Sequence, residues 1–463
     1  MSDRVAAEDV LLFVNAALAA TGQREFRASA EEQRLSLDFL HAYVCGNYRP
    51  LYAAVLALDV NDHNAALIAE RLLRTPGEGG PGEGRLVAAR LAVMPPQRVY
   101  RLFGALRAAG VNNRRTRAIV RDWLARRPDL AHDAVKYRPG LKAAVRHAHL
   151  PVSGELGDFL FAPGRRTRYE HRALEAFRRA HYEQGALYEL PFTVAEGFAA
   201  RHGVAREVFL ERMAPRMTRL ERLRSRPGTA ELGTMPLTRL ALYVLSLPFA
   251  ERAERRAELT GALRAAAARV AGPHAGSWGR VAAVLDDSFS SSGSGVKRRR
   301  PLAVALGCRF LLETLAAPGG FTAHWTSGGT DPLLVRPWGA TPLGTRILDA
   351  LDGPAGAPER LVIVSDGWDN APPGLAGEVL RVWRERLDPG HRTSVVHLNP
   401  VYDAELFDVR RLAPGVPTAG IRDAEDLPAL VELARFAEGR ERLAALRAYL
   451  DRRVELFLKE AAR

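Results

Sequence analysis

The sequence predicts two architectures in one chain: a long all-α half, then an α/β half built on a parallel sheet. Three observations carry this reading. From about residue 5 to 270, apolar residues recur at helical spacing and strand-like alternation is nearly absent. The stretch is cut by helix breakers into short segments. Beyond a Gly/Pro-containing linker, Ala271-Gly272-Pro273-His274-Ala275-Gly276, short apolar runs alternate with helical segments.

In chain order, Leu11, Leu12, Val14, Leu18 and Ala19 line one helix face, and Ala65, Ile68, Leu72 and Leu73 another. Breaks are expected at Thr75-Pro76-Gly77, Arg127-Pro128, Arg138-Pro139-Gly140, Leu150-Pro151 and Arg226-Pro227-Gly228, with a flexible loop from Gly77 to Gly84. Many helices joined by short loops predict an α-solenoid of degenerate repeats over residues 1–272. Residues 277–463 form the second predicted domain, doubly wound α/β with a last helix at about 440–459. Its expected strands are Arg280–Leu285, Thr322–Thr326, Leu333–Arg336, Leu361–Ser365, Thr393–Leu398 and Pro417–Ile421. Its expected helices are Pro301–Ala316, Leu343–Leu351, Leu375–Arg386 and Asp426–Phe436.

The 463 residues carry a formal net charge of +13, a balance that favours polyanionic partners such as nucleic acid. No apolar run is long enough to span a bilayer, and the N-terminus lacks a signal-peptide pattern. Cys45 and Cys308 lie far apart inside apolar segments, as core residues of a reducing compartment. The expectation is a cytoplasmic monomer with no membrane role.

The α/β half holds a pattern with chemistry in it. Asp286-Asp287-Ser288-Phe289-Ser290 closes the apolar run Val281–Leu285, and oxygen ligands on alternate residues can address one cation. Gly339-Ala340-Thr341-Pro342-Leu343-Gly344 offers a loop threonine, and Leu361–Gly367 a second strand ending in a carboxylate, Asp366. Asp287 should face away. Ser291–Gly295 reads as a flexible insertion, and Lys297-Arg298-Arg299-Arg300 puts positive charge nearby. Asp286, Ser288, Ser290, Thr341 and Asp366 resemble the five metal-site positions of a von Willebrand factor A domain. That resemblance implies a metal-ion-dependent adhesion site. Ser288 and Ser290 would bind Mg2+ directly, and Asp286, Thr341 and Asp366 directly or through water. A remaining position would accept an acidic group from a partner.

The all-α half has a basic stretch from Asn112 to Pro151. The spacings of Arg114, Arg115, Arg117 and Arg121 put most of them on one helix face; Lys136, Tyr137, Arg138, Lys142, Arg146, His147 and His149 follow, and Arg165, Arg166 and Arg168 form a second cluster. Guanidinium groups bind phosphate in bidentate fashion, and aromatic rings stack on bases. Trp123 reads as core. This stretch, with Met235-Pro236-Leu237-Thr238-Arg239-Leu240 further on, resembles the TROVE module of the Ro autoantigen family, in which a von Willebrand A domain follows. The resemblance implies a ring of HEAT-like repeats and a ribonucleoprotein that binds small noncoding Y RNAs and single-stranded ends of misfolded or damaged RNA. It also implies a place in RNA quality control beside an exoribonuclease or an RNA-repair enzyme. No nucleophile elbow, Walker loop or zincin motif occurs, so a non-enzyme is expected. A second reading takes the chain as an adaptor for a MoxR-type AAA+ ATPase, acting through the metal site. A third, a metal-dependent nuclease, lacks a recognisable base.

Overall fold

The computed structural model describes residues 3–75, 82–218, 221–222, 232–353, 356–435 and 442–461. The predicted Gly77–Gly84 loop lies mostly outside them, as does Arg226-Pro227-Gly228. Glu83 and Gly84 open the helix Glu83–Val93.

The chain forms two compact units. One comprises residues 65–231 and 454–463; the other comprises residues 1–64 and 232–453. The compact units are thus drawn differently from the predicted 1–272 and 277–463 division, because residues 1–64 and 232–272 group with the α/β part and residues 454–463 with the helical unit.

The 65–231 unit is helical among its described residues, as its periodicity predicts. The helix Arg114–Ala125 shows why. Asn113 caps it by accepting from the Thr116 amide, and Thr116, Ile119, Val120, Trp123 and Leu124 are buried at positions i, i+3, i+4, i+7 and i+8. Trp123 is core, as expected: its indole donates to the Leu91 carbonyl at 2.9 Å and packs edge-on against Tyr100 and Phe103. Arg138-Pro139-Gly140 acts as a start rather than a break, since proline at the first turn opens the helix Arg138–His147. That helix packs on Pro96–Ala108, where a side chain at Gly140 would meet Tyr100 Cβ at 2.7 Å.

The other unit centres on five parallel strands: β1 (Val281–Leu285), β2 (Phe321–Trp325), β3 (Arg360–Val364), β4 (Ser394–Asn399) and β7 (Thr418–Gly420). Their spatial order is β2-β1-β3-β4-β7. Ala282 and Val284 of β1 and Leu361 and Ile363 of β3 pack under the helices Leu343–Leu351 and Leu375–Val382. The helix Arg300–Leu315 packs on β1 as well as on Leu237–Ser246 and Arg256–Ala271. Strands covered on both faces read as continuous apolar runs, which is why they were visible in sequence. Truncating Ile363, which is fully buried, would cost about 2–5 kcal/mol.

The expected set of strands needs two corrections. Leu333–Arg336 is a turn, not a strand. The Leu333 and Val335 carbonyls accept from the buried guanidinium of Arg252 instead of from a ladder. A two-stranded hairpin, β5 (Tyr402–Asp403) with β6 (Asp408–Val409), was not anticipated. The N-terminal helix Asp3–Ala19 packs on β6 and β7. Asn15 donates to Asp408 Oδ1 at 3.1 Å and accepts from the Gly420 amide at 3.1 Å. A side chain at Gly420 would meet the Asn15 carbonyl at 2.7 Å, so glycine permits this approach.

Candidate metal centre and nucleic-acid interface

Asp286 and Asp366 follow the ends of adjacent strands. β1 and β3 are paired in register, Leu285 opposite Val364, and the Asp286 amide extends the ladder to the Val364 carbonyl at 3.0 Å. Here the strand order reverses direction, the place where open α/β sheets put ligands. Backbone bonds tie in the other loops. Phe289 N donates to Gly339 O at 3.1 Å, Trp338 N to Asp287 O at 2.9 Å, and Asn370 N to Thr341 O at 3.2 Å. The structure therefore brings the three predicted segments together.

Asp286, Ser288, Ser290, Thr341 and Asp366 are all buried. Ser288 N donates to Asp286 Oδ1 at 2.9 Å and Ser365 Oγ to Asp286 Oδ2 at 3.1 Å. The Ser288 and Ser290 hydroxyls lie 3.2 Å apart. Trp368 N donates to Asp366 Oδ1 at 3.1 Å, and the Ser290 hydroxyl bonds the same carboxyl group. Burial, then the neighbouring Asp366 charge, pushes Asp286 up to about 7. Burial raises Asp366 too, against the Ser290 and Trp368 hydrogen bonds and the charges of Arg27 and Arg410. Two buried carboxylates beside one another favour a cation between them. Among the described residues no cluster of three or more His, Cys, Asp or Glu could hold a metal. An ion here would draw on hydroxyl oxygens as well, an all-oxygen set of the kind Mg2+ takes.

Asp287 turns away as expected. Its carboxylate accepts from Thr326 Oγ1 at 2.8 Å, Ser327 N at 2.8 Å and Ser327 Oγ at 2.6 Å. Ser291–Gly295, expected to be flexible, is folded: Ser291 Oγ donates to Ser288 O at 2.7 Å, and Ser294 Oγ accepts from Lys297 N at 3.1 Å. Most of the Lys297–Arg300 charge is spent elsewhere. Lys297 pairs with Glu25, Arg299 donates to the Leu245 carbonyl, and Arg300 pairs with Asp423 at 2.6 Å. Arg298 is exposed.

The basic residues of the 65–231 unit separate into two groups. Arg115 pairs with Glu83 at 2.8 Å, Arg121 donates to the Ala148 carbonyl, Arg138 to the Phe159 carbonyl at 2.6 Å, and Lys136 lies 3.9 Å from Glu221. Arg165 and Arg166 share Asp158 at 3.4 and 2.6 Å. Arg114, Arg117, Lys142, Arg146 and Arg168 form no ion pair among the described residues. Lys142 and Arg146, one turn apart, flank the exposed Phe161 ring at 5.6 and 5.2 Å. Tyr137 is half-buried against Tyr100. His147 is buried, and burial lowers its pKa, so it is not a surface donor. His149 is exposed, 3.5 Å from Asn112. Arg107, exposed on the helix Pro96–Ala108, acts electrostatically on His147 together with Arg117. Sequence reasoning passed over Arg107 because it sits one helix earlier.

The structure aligns with the crystal structure of the Deinococcus radiodurans Ro (RSR) protein over 93% of this chain and 100% of that one, at a TM-score of 0.52. The chain is Ro-like in fold. Sequence identity over the alignment is 15%, so the likeness is one of fold. No family model matches the sequence, and no curated protein does. The Ro-like fold agrees with a helical part joined to a parallel α/β part, and among the described residues no helix is long and apolar enough to cross a membrane.

Proposed function

We propose that the chain is an RNA-binding scaffold of the Ro type. Its ligands on this reading are small noncoding RNA and single-stranded ends of misfolded or damaged RNA, held for quality control, decay or repair. One observation supports it above the others: a likeness to a Ro protein over 93% of the chain, in a protein of net charge +13. The HEAT-like ring belongs to the same proposal. The contact surface is assigned to Arg114, Arg117, Lys142, Arg146 and Arg168, five of the expected basic residues that form no ion pair among the described residues, with Phe161 as a stacking platform. Asp286, Ser288, Ser290, Thr341 and Asp366 would hold Mg2+, whose chemistry is to complete a docking point for a protein partner such as an exoribonuclease or RNA-repair enzyme. The chain's own residues there position oxygen donors and no recognisable base. The ATPase-adaptor reading uses this corner alone and leaves the unpaired basic residues without a role.

The test is RNA titration of the full-length protein over a salt series. Arg114→Glu with Arg117→Glu should weaken binding at least tenfold at low salt, and should reduce the slope of log K against log salt by about 1 per lost phosphate contact. Curves that coincide with the unmodified protein's would remove this surface from the proposal.

A further inference from the structure

Beside the metal corner the α/β unit holds a cavity of about 790 Å³. Its walls come from the segment 25–28, the helix Ala30–Asn47, Trp368 and the β5–β6 hairpin. The lining is mainly apolar and aromatic: Phe26, Leu35, Phe39, Trp368, Tyr402 and Phe407. Leu35 and Phe39 are 73% and 55% exposed, so bulky apolar groups face solvent at the mouth with nothing over them among the described residues. Phe407 packs on Phe39 at 5.1 Å and holds φ at 55°, a left-handed backbone that an aromatic residue rarely adopts. Such strain at a cavity rim is the kind that function retains.

The charges decide what fits. Five acids, Glu25, Glu32, Asp366, Asp403 and Glu405, share the walls with two arginines. Glu25 is taken by Lys297, Asp403 is paired with Arg410 at 2.9 Å, and Asp366 belongs to the metal corner. Both guanidiniums lie on the Trp368 indole, Arg27 at 4.1 Å and Arg410 at 3.9 Å; Arg410 is neutralised by Asp403, and Arg27 is exposed. Glu405 is exposed at the mouth, as is Glu32, whose carboxylate also accepts from the Ser29 amide at 2.7 Å, and the acids outnumber the arginines five to two. An acidic rim around an apolar floor repels phosphate and attracts a cation-bearing apolar group.

We propose that this cavity docks a protein partner through a segment that carries bulky apolar side chains next to lysine or arginine. The docking is separate from RNA binding and needs no divalent cation.

The experiment pans a displayed random-peptide library on RNase-treated full-length protein in EDTA, with counter-selection on Leu35→Arg/Phe39→Ser. Both positions are exposed, so the variant should keep the parent's thermal unfolding and RNA binding, and both are measured as controls. Selected peptides should place aromatic or aliphatic residues beside Lys or Arg. Synthesised and labelled, they should bind the double variant at least tenfold more weakly, and Glu405→Lys several-fold more weakly. Acid-rich winners, no sequence that discriminates the two proteins, or concentration-dependent dimerisation abolished by Leu35→Arg/Phe39→Ser would each overturn the proposal.

Discussion

Asp133 in the helical unit and Asp286 in the α/β unit are both buried carboxylates, and their surroundings differ in kind. Asp133 receives the Tyr100 hydroxyl at 2.8 Å and Arg127 in bidentate fashion at 2.6 and 3.0 Å. Burial works to raise its pKa, but the nearby His132 ring, 4.0 Å away, and the hydrogen bonds from Arg127 and Tyr100 outweigh it and hold the group at about 2. Asp286 has serine hydroxyls, an amide and a second carboxylate, and its pKa is pushed up to about 7. The first charge is answered from within the chain and is structural. The second has no cation among the groups bonded to it, and on the proposed reading a bound Mg2+ would supply one.

The largest effect should come from removing the answered charge. Asp133→Ala strands Arg127 and Tyr100 and should cost about 3 kcal/mol, the low end for a broken buried pair because Arg127 is partly exposed. Urea unfolding of the full-length protein measures it. Asp286→Asn should behave in the opposite way. It removes one of two facing carboxylates and should leave stability in EDTA unchanged or higher. The unmodified protein should gain about 2.7 kcal/mol from Mg2+ at a hundred times its Kd, and the variant should gain none. Equal Mg2+ responses in the two proteins would end the metal assignment.

That site was legible because its parts are local. Asp286 and Asp366 close apolar strands buried on both faces, and such runs announce themselves without an alternating pattern. Leu333–Arg336 imitated a strand because Leu333 and Val335 are buried two residues apart. Its carbonyls are satisfied by Arg252, a partner some eighty residues away that no local pattern contains. The association of the N-terminal helices with the sheet was hidden for the same reason: Asn15 with Asp408, Gln33 Nε2 with the Tyr402 carbonyl, and Ser36 with the Tyr402 hydroxyl all join distant segments. The β5–β6 strands are two residues each, too short for periodicity to register. The cavity they wall was therefore invisible as well.

A buried base in the α/β unit sharpens the comparison on the pH axis. His397 of β4 is fully buried; burial lowers its pKa to about 4 although a bond to the Ser365 carbonyl favours the charged form. Between its ordinary value and about 4 the unfolded chain binds the extra proton. Its contribution to stability is thus full above about pH 6.5 and falls as the pH drops towards 4, by about 2 kcal/mol at pH 5. Asp133 acts only below that window, as pH falls from about 3.8 through 2, because its folded pKa is depressed. His397→Gln should flatten the first decline and leave the second in place, as thermal unfolding across pH 2–7 would record.

The distinction between answered and unanswered charge also sorts the arginines, and here the smallest effect is expected. Arg165 and Arg166 looked as suited to phosphate as Arg114 and Arg117 when only their spacing was visible. Asp158 neutralises them, and Glu155 adds a second carboxylate 3.6 Å from Arg166. A guanidinium already bonded to a carboxylate must give up that bond to take a phosphate, and the acid left behind repels the ligand. Arg165→Ala with Arg166→Ala should therefore change RNA affinity less than about threefold and leave the salt slope in place, against the tenfold loss expected for Arg114→Glu with Arg117→Glu. To remove the bias of a charge reversal, Arg114→Ala with Arg117→Ala is titrated alongside. If the two alanine pairs weaken binding equally, internal ion pairing does not select the contact surface, and the RNA recruits Arg165 and Arg166 away from Asp158.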